Sequence, residues 1–125
     1  MLKKDTVKKQ IGKAMRKNRV RARITGTAIR PRLSVFRSLK HIYAQLIDDV
    51  KQTTLVGVMS KTADTKHVPE EYKGKTRVAY AVGFALATAA KEASITKAVF
   101  DRNSYKYHGR VKAVADGARQ GGLEF

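Results

Sequence analysis

Cysteine and tryptophan are absent from this 125-residue sequence, and proline occurs only twice. Without cysteine the chain can have no disulfide, no thiol nucleophile, no cysteine-ligated zinc site and no iron–sulfur cluster. Long apolar runs are also missing, because the longest weakly polar stretch, 78–90, falls short of the about 20 residues that span a bilayer. We therefore expect one small globular domain at most, without a membrane partner.

Acidic residues are scarce, with 10 Asp and Glu against 27 Lys and Arg, and the formal net charge is +17. The excess is concentrated in residues 1–40, which carry 14 Lys and Arg and one acidic residue. A polyanionic partner explains this asymmetry, since each neutralised phosphate releases condensed counterions and affinity grows with the number of basic contacts. The alternatives are a basic surface kept for solubility and a membrane-surface segment, which would need a stronger apolar stripe.

The hydrophobic pattern predicts an α+β fold of two layers, in the order βββαβα. The predicted strands are 32–38, 41–48, 53–60 and 95–101, and the predicted helices are 76–94 and 110–120. Two helices with small apolar stripes should cover one face of a mixed sheet. In the first helix the predicted stripe is Val78, Val82, Ala85, Leu86, Ala89 and Ala93. Thr76 is its predicted N-cap, and Gly83 suggests close approach to the sheet, with a permissive surface glycine as the alternative.

Composition divides the chain into a basic N-terminal arm, 1–24, and a single domain, 25–125. The arm carries 10 Lys and Arg and few apolar residues. Self-repulsion among these charges predicts an arm that is largely disordered in the free protein and is ordered by RNA.

The first two strands predict a hairpin whose faces differ in chemistry. A two-residue turn at Leu39 and Lys40 places on one face Leu33, Val35, Arg37, Ile42, Ala44 and Leu46, which should pack under the helices. The opposite, open face pairs Arg32 with Ile47, Ser34 with Gln45, Phe36 with Tyr43, and Ser38 with His41. Neither turn residue favours the positive φ of a tight turn, and a slip of one residue would exchange the faces.

The open face combines aromatic rings with hydrogen-bond donors and a cation. Such a surface suits single-stranded or distorted RNA, whose bases stack on the rings. The alternative is that Phe36 and Tyr43 form a stabilising pair that the arm covers.

A second cluster of aromatic and basic residues lies at 100–110, between a predicted strand and a predicted helix. Loops in this position are common ligand sites, although an ordinary connector is the alternative. Nothing before Arg110 offers a strong side-chain cap, so free N–H groups there predict an anion site. An aspartate in place of Gly109 is expected to cap the helix and stabilise the free protein slightly.

The sequence shows no arrangement of residues that is typical of catalysis. The order βββαβα invites comparison with ribonuclease H topology, but the converging carboxylates that its metal ions need are missing. His41, His67 and His108 lack metal-ligand spacing, and no phosphate-binding glycine motif occurs. We expect no enzyme activity, no cofactor, no metal ion and no small-molecule substrate.

Six segments together resemble one known family. They are RPRLSVFRS at 30–38, HIYAQ at 41–45, FDR at 100–102, YHGRV at 107–111, AVADGAR at 113–119 and GLEF at 122–125. The chain, from about residue 16 to its end, is similar to the bacterial-type large-subunit ribosomal protein L-eighteen family.

The resemblance implies a structural protein of the cytoplasmic ribosome. It implies binding to 5S rRNA, attachment of that RNA to the large subunit in the central protuberance, contact with 23S rRNA, and neighbours that include the large-subunit protein L-five. The other candidate is a non-ribosomal accessory factor for RNA processing or RNA modification that uses the same basic face.

Together with the open face, the resemblance predicts a set of RNA contacts in the arm, the hairpin and the loop. They are Lys13, Arg16, Lys17, Arg19, Arg21, Arg23, Arg30, Arg32, Ser34, Phe36, Ser38, His41, Tyr43, Gln45, Arg102, Tyr105, Tyr107, His108 and Arg110.

Two positions depart from the family pattern. Leu39 stands where the family usually has Asn, and Asn103 and Ser104 stand where it often has two glycines. Asn tolerates a left-handed conformation, so Asn103 can replace one glycine.

Deleting residues 1–24 should leave the core folded but lower RNA affinity, because the deletion removes 10 basic residues. Fewer phosphates would then be neutralised, so the slope of log K against log salt should become shallower. Filter binding across a salt series measures this slope, and an unchanged slope would mean that the arm touches no phosphate.

Overall fold

The computed structural model describes residues 24–103 and 105–125. All of the predicted arm except Ile24 therefore lies outside the described residues, as does Ser104. The predicted contacts in that part are Lys13, Arg16, Lys17, Arg19, Arg21 and Arg23, which stay predictions.

The element order confirms the predicted βββαβα sequence. The strands are β1 (Arg32–Arg37), β2 (Ile42–Asp48), β3 (Thr53–Met59) and β4 (Val99–Asp101), and the helices are α1 (Lys75–Glu92) and α2 (Arg110–Gln120). The last strand is shorter than the predicted 95–101, because residue 97 only forms an isolated bridge to Glu124 near the end of the chain. Within the described ranges, no helix is long and apolar enough to cross a bilayer.

The four strands form one mixed sheet in the order β3-β2-β1-β4. Strands β1, β2 and β3 are antiparallel neighbours, whereas β4 runs parallel to β1 after the crossover through α1. The outer edge of β3 pairs with no other strand in the described part of the chain, and this strand contains no charged residue and no proline.

The core lies between one face of the sheet and the two helices. The strand residues Leu33, Val35, Ile42, Ala44 and Leu46 are buried there. The predicted covered face is thus confirmed, except that Arg37, at the end of β1, is exposed.

Helix α1 buries only two residues of the stripe that the sequence predicts, Val82 and Leu86. Its buried residues are Ala79, Tyr80, Ala81, Val82, Gly83, Leu86, Ala87 and Ala90, whereas Val78, Ala85 and Ala89 are only half-buried and Ala93 is exposed. The prediction is wrong at the other four positions because α1 packs against both the sheet and α2, and the buried face is therefore wider and rotated.

The two helices cross at backbone contact through a pair of glycines. A Cβ atom on Gly83 would lie 2.0 Å from the carbonyl oxygen of Val114, and one on Gly117 would lie 2.1 Å from that of Tyr80. Gly83 therefore permits close approach to the other helix, and the predicted approach to the sheet is wrong. The glycine pair lets the two helices pack in backbone contact with each other.

The segment before α1 is tethered to α2 by a phenol–carboxylate contact. Tyr72 donates a hydrogen bond to Asp116 Oδ2 at 3.0 Å, and its ring lies 4.5 Å from that of Tyr80. Burial and the neighbouring Asp116 carboxylate raise the pKa of Tyr72 to about 12, so this donor keeps its proton throughout the neutral range.

Gly83→Ala should lower the free energy of unfolding by about 3 kcal/mol, because the added methyl group meets a backbone carbonyl that cannot move aside. Gly57→Ala is the matched control, since the nearest atom to a Cβ there is 4.0 Å away. In an exposed strand that control should be neutral or stabilise by about 0.5 kcal/mol. Urea unfolding of both variants measures the difference, and equal stability would contradict the backbone contact.

Candidate nucleic-acid interface

The β1–β2 hairpin has the predicted register. Its Cα partners include Ser34 with Gln45 and Phe36 with Tyr43, as the alternation of apolar and polar residues predicts. The register therefore places both aromatic rings on the sheet face that the helices leave open.

The hairpin closes through four residues rather than through a tight two-residue turn. Ser38 N donates to the His41 carbonyl at 2.8 Å, and His41 N donates to Ser38 Oγ at 3.1 Å. A tight two-residue turn would need a positive φ, which Leu39 and Lys40 do not favour. No residue of the observed turn has a positive φ, so these two residues are compatible with the predicted register. Ser38 and His41, both predicted RNA contacts, therefore have a defined place at the tip of the hairpin.

The aromatic end of the open face is exposed as predicted. The rings of Phe36 and Tyr43 lie 6.1 Å apart between centroids, and Phe36 is 53% exposed. They line a groove of about 700 Å³ together with Gln45, Gly57 and Met59. Gln45 accepts a hydrogen bond from the Thr54 hydroxyl but remains half-exposed. A planar ring has room to stack at this end.

The other end of the same face is covered, and the predicted exposure of Arg32 and Ser34 is wrong. The Arg32 guanidinium donates to both carboxylate oxygens of Asp49 at 3.0 Å and to Asp101 Oδ2 at 2.8 Å. These hydrogen bonds, that to Asp49 foremost, raise the pKa of Arg32 against the opposing effect of burial. A buried guanidinium needs such paired charges.

Asn103 covers Ser34 and occupies the left-handed region with φ of 57°, as predicted for a residue replacing glycine. Its side-chain amide donates to Ser34 Oγ at 3.1 Å and also to the Val35 carbonyl. Asp49, Asp101 and Asn103 are not predicted as a group from the sequence. The only signal is that each lies at or just beyond the end of a predicted strand.

The loop after β4 lies beside the hairpin tip. The Tyr105 hydroxyl accepts a hydrogen bond from Arg37 N and donates one to the Arg37 carbonyl, and the Arg37 guanidinium lies 4.8 Å from the Tyr105 ring centre. Arg102 donates to the Tyr105 carbonyl, and Arg110 donates to the Ser38 carbonyl at 3.0 Å. The two predicted clusters therefore form one continuous surface.

The outer part of this loop offers exposed aromatic groups. Tyr107 is 43% exposed, packs edge-on against Phe100 and accepts a hydrogen bond from Arg119. His108 is exposed next to it. Arg30 is also exposed, and it lies at a small cavity with Lys97 near the end of the chain.

Both helices begin at a glycine of the same unusual conformation. Gly74 has φ 60° and ψ −129°, and Gly109 has φ 57° and ψ −123°; within the described residues neither helix has a side-chain cap or an acidic residue in its first turn. The uncapped start of α2 is thus confirmed. Thr76 as the N-cap of α1 is wrong, because the helix begins at Lys75 with Gly74 in the cap position, and the Thr76 hydroxyl donates to the carbonyl of Lys73, before the helix.

An open sheet face with aromatic rings, continued by a basic and aromatic loop, defines an α+β protein with a candidate nucleic-acid interface. A family model described as "Ribosomal L18 of archaea, bacteria, mitoch. and chloroplast" matches residues 7–125. The chain belongs to this ribosomal protein family.

Relatives named "Large ribosomal subunit protein uL18" are similar over nearly their whole length. The Desulfosudis oleivorans protein is 54% identical over 119 residues, which cover 94% of this chain and 96% of that protein. The Chloroherpeton thalassium protein is 56% identical over 110 residues, covering 87% and 89% respectively. The Herpetosiphon aurantiacus protein is 52% identical over 113 residues, covering 90% and 93%.

Phe36→Ala and Tyr43→Ala should each weaken RNA binding by about 1–3 kcal/mol, the usual value of a stacked base. Leu46→Ala is the comparison, since this core residue should instead cost about 2–5 kcal/mol of folding stability. Titrations with RNA and thermal unfolding of the three variants separate the effects. Unchanged RNA affinity in both aromatic variants would mean that no base stacks there.

Gly109→Asp should destabilise the protein by about 1–3 kcal/mol, contrary to the sequence-based expectation, because φ near 57° with ψ near −123° strains any L side chain. Gly109→Ala is the matched control with equal strain and no charge. If a phosphate lies at the start of α2, the aspartate variant should bind RNA more weakly than the alanine variant. Equal RNA affinity would contradict the anion site.

Proposed function

We propose that this protein is a structural constituent of the large ribosomal subunit, in the cytoplasm, and that it binds 5S rRNA and helps attach it to 23S rRNA in the central protuberance. Family membership and the name that the relatives share support the ribosomal part of this proposal. Its neighbours there would include the large-subunit protein L-five. The protein acts by binding and positioning RNA and not as an enzyme.

The single observation that carries RNA binding is the junction of the hairpin and the loop. The Tyr105–Arg37 and Arg110–Ser38 contacts align an exposed aromatic pair with an exposed aromatic and basic loop. Bases can stack on the rings while guanidinium and imidazole groups meet phosphates and sugar hydroxyls.

The exposed and half-exposed members of the predicted set form the proposed contact surface of the domain. They are Arg30, Phe36, Ser38, His41, Tyr43, Gln45, Arg102, Tyr105, Tyr107, His108 and Arg110. Arg32 and Ser34 support this surface from beneath. We propose that the basic arm, 1–24, supplies most of the salt-dependent affinity and that the domain, 25–125, selects the RNA site.

Chemical footprinting of the purified protein on 5S rRNA tests the proposal. We expect a compact protected region on 5S rRNA that survives competition with an excess of transfer RNA. Protection lost equally to any competitor would indicate non-specific binding only and would contradict a dedicated 5S rRNA protein.

Sedimentation of cell extracts distinguishes the ribosomal role from that of an RNA-processing or RNA-modification accessory factor. A structural constituent should co-sediment in stoichiometric amounts with large subunits at low salt and leave them only at high salt. A substoichiometric amount on subunits would favour the accessory factor.

A further inference from the structure

One guanidinium group joins two segments that are far apart in the sequence. Arg32 is 7% exposed, and its side chain binds Asp49 in the β2–β3 turn and Asp101 at the end of β4. The three donor nitrogens that face these carboxylates are all used at 2.8–3.0 Å. This cluster of Arg32, Asp49 and Asp101 is called the guanidinium clamp below.

On one side, the clamp fixes the point where the basic arm joins the domain. Gly26 N donates to Asp49 Oδ2 at 2.7 Å, and Asp49 N donates to the Gly26 carbonyl at 2.9 Å. A Cβ atom on Gly26 would lie 2.3 Å from the Ile47 carbonyl oxygen, so the chain is pressed directly against the sheet. The chain at Gly26, just after the arm, is therefore held in one position against the sheet.

On the other side, the clamp fixes the start of the loop that carries Tyr105 and Tyr107. Asp101 is fully buried, and while one of its oxygens binds Arg32, the other accepts a hydrogen bond from Asn103 N at 2.8 Å. The Asn103 side-chain amide in turn donates a hydrogen bond to Ser34 Oγ of β1. The loop thus leaves the sheet from a rigid base.

Stability alone does not account for such a cluster. Buried ion pairs lose hydration, and apolar residues of similar volume often stabilise a protein as well or better. The planar fork of Arg, however, imposes a fixed geometry on two carboxylates at once, which apolar packing does not.

We propose that Arg32, Asp49 and Asp101 are positioning residues for RNA binding, which hold the exit of the arm and the base of the loop at a fixed separation. This inference rests on the proposed function. The clamp touches no RNA itself. By fixing in advance where two binding segments leave the sheet, it removes part of the ordering cost that RNA would otherwise have to offset.

Simple electrostatics and the positioning role predict opposite results for Asp49→Asn. The substitution removes a negative charge from a protein that binds a polyanion, so charge alone should tighten RNA binding. Loss of the clamp should instead weaken binding of 5S rRNA by about tenfold, because the exit of the arm and the base of the loop are no longer held at a fixed separation.

Asp64→Asn is the matched control, because it makes the same change of charge at an exposed loop residue that binds only Lys66 N among the described contacts. We expect this control to bind 5S rRNA as tightly as the parent or slightly more tightly. Asp49→Glu keeps the carboxylate within reach of Arg32 and should recover much of the lost affinity. Thermal unfolding of each variant is measured first, and RNA binding is then compared at a temperature at which all variants are folded.

A double-variant cycle separates positioning from a general loss of structure. In the full chain, Arg16→Gln with Arg19→Gln should weaken RNA binding in the parent by a factor that becomes smaller in the Asp49→Asn background. General destabilisation would leave that factor unchanged, since independent effects add in free energy.

Two results would overturn the inference in distinguishable ways. A parent protein that prefers 5S rRNA, together with an Asp49→Asn variant that binds at least as tightly as Asp64→Asn, would refute the positioning role alone. A parent with no preference for 5S rRNA would refute the proposed function and the positioning role with it.

Discussion

The backbone contact between α1 and α2 at Gly83 and Gly117 is the constraint on which the architecture depends. Side chains normally keep packed helices about 8–10 Å apart, and the two glycines let α1 and α2 approach until their backbones touch over one face of the sheet. Because both helices share that face, the other face of the sheet is left without a helical layer. The candidate interface exists because of this asymmetry.

Alternation in the sequence, together with a turn placed at Leu39 and Lys40, predicted the observed register of the hairpin, including the pairing of Phe36 with Tyr43. The alternation encodes which face is buried, and a shift by one residue would have placed Leu33 and Leu46 in water. The predicted helices also match the observed ones closely. Their relative rotation could not be predicted, because it depends on a glycine-mediated contact between segments more than 30 residues apart.

The covered end of the open face was missed for a similar reason. Arg32 looks like a typical RNA-binding cation in the sequence, and its actual role depends on carboxylates 17 and 69 residues further along the chain. Only the conformation of Asn103 could be foreseen, since it follows from a local preference of that residue type. Sequence patterns thus predict the register of the hairpin, but they do not reveal that Arg32 is buried against partners from distant strand ends.

The exposed outer edge of β3 also bears on how the free protein behaves in solution. Charged residues and proline usually prevent one sheet edge from adding to another, and the seven residues of β3 include neither. In this chain, mutual repulsion from a net charge of +17 can keep such edges apart. Salt that screens this charge would release the protein from a polyanion and at the same time weaken the barrier to self-association. The unassembled protein is therefore expected to be least soluble under the ionic conditions that strip it from RNA.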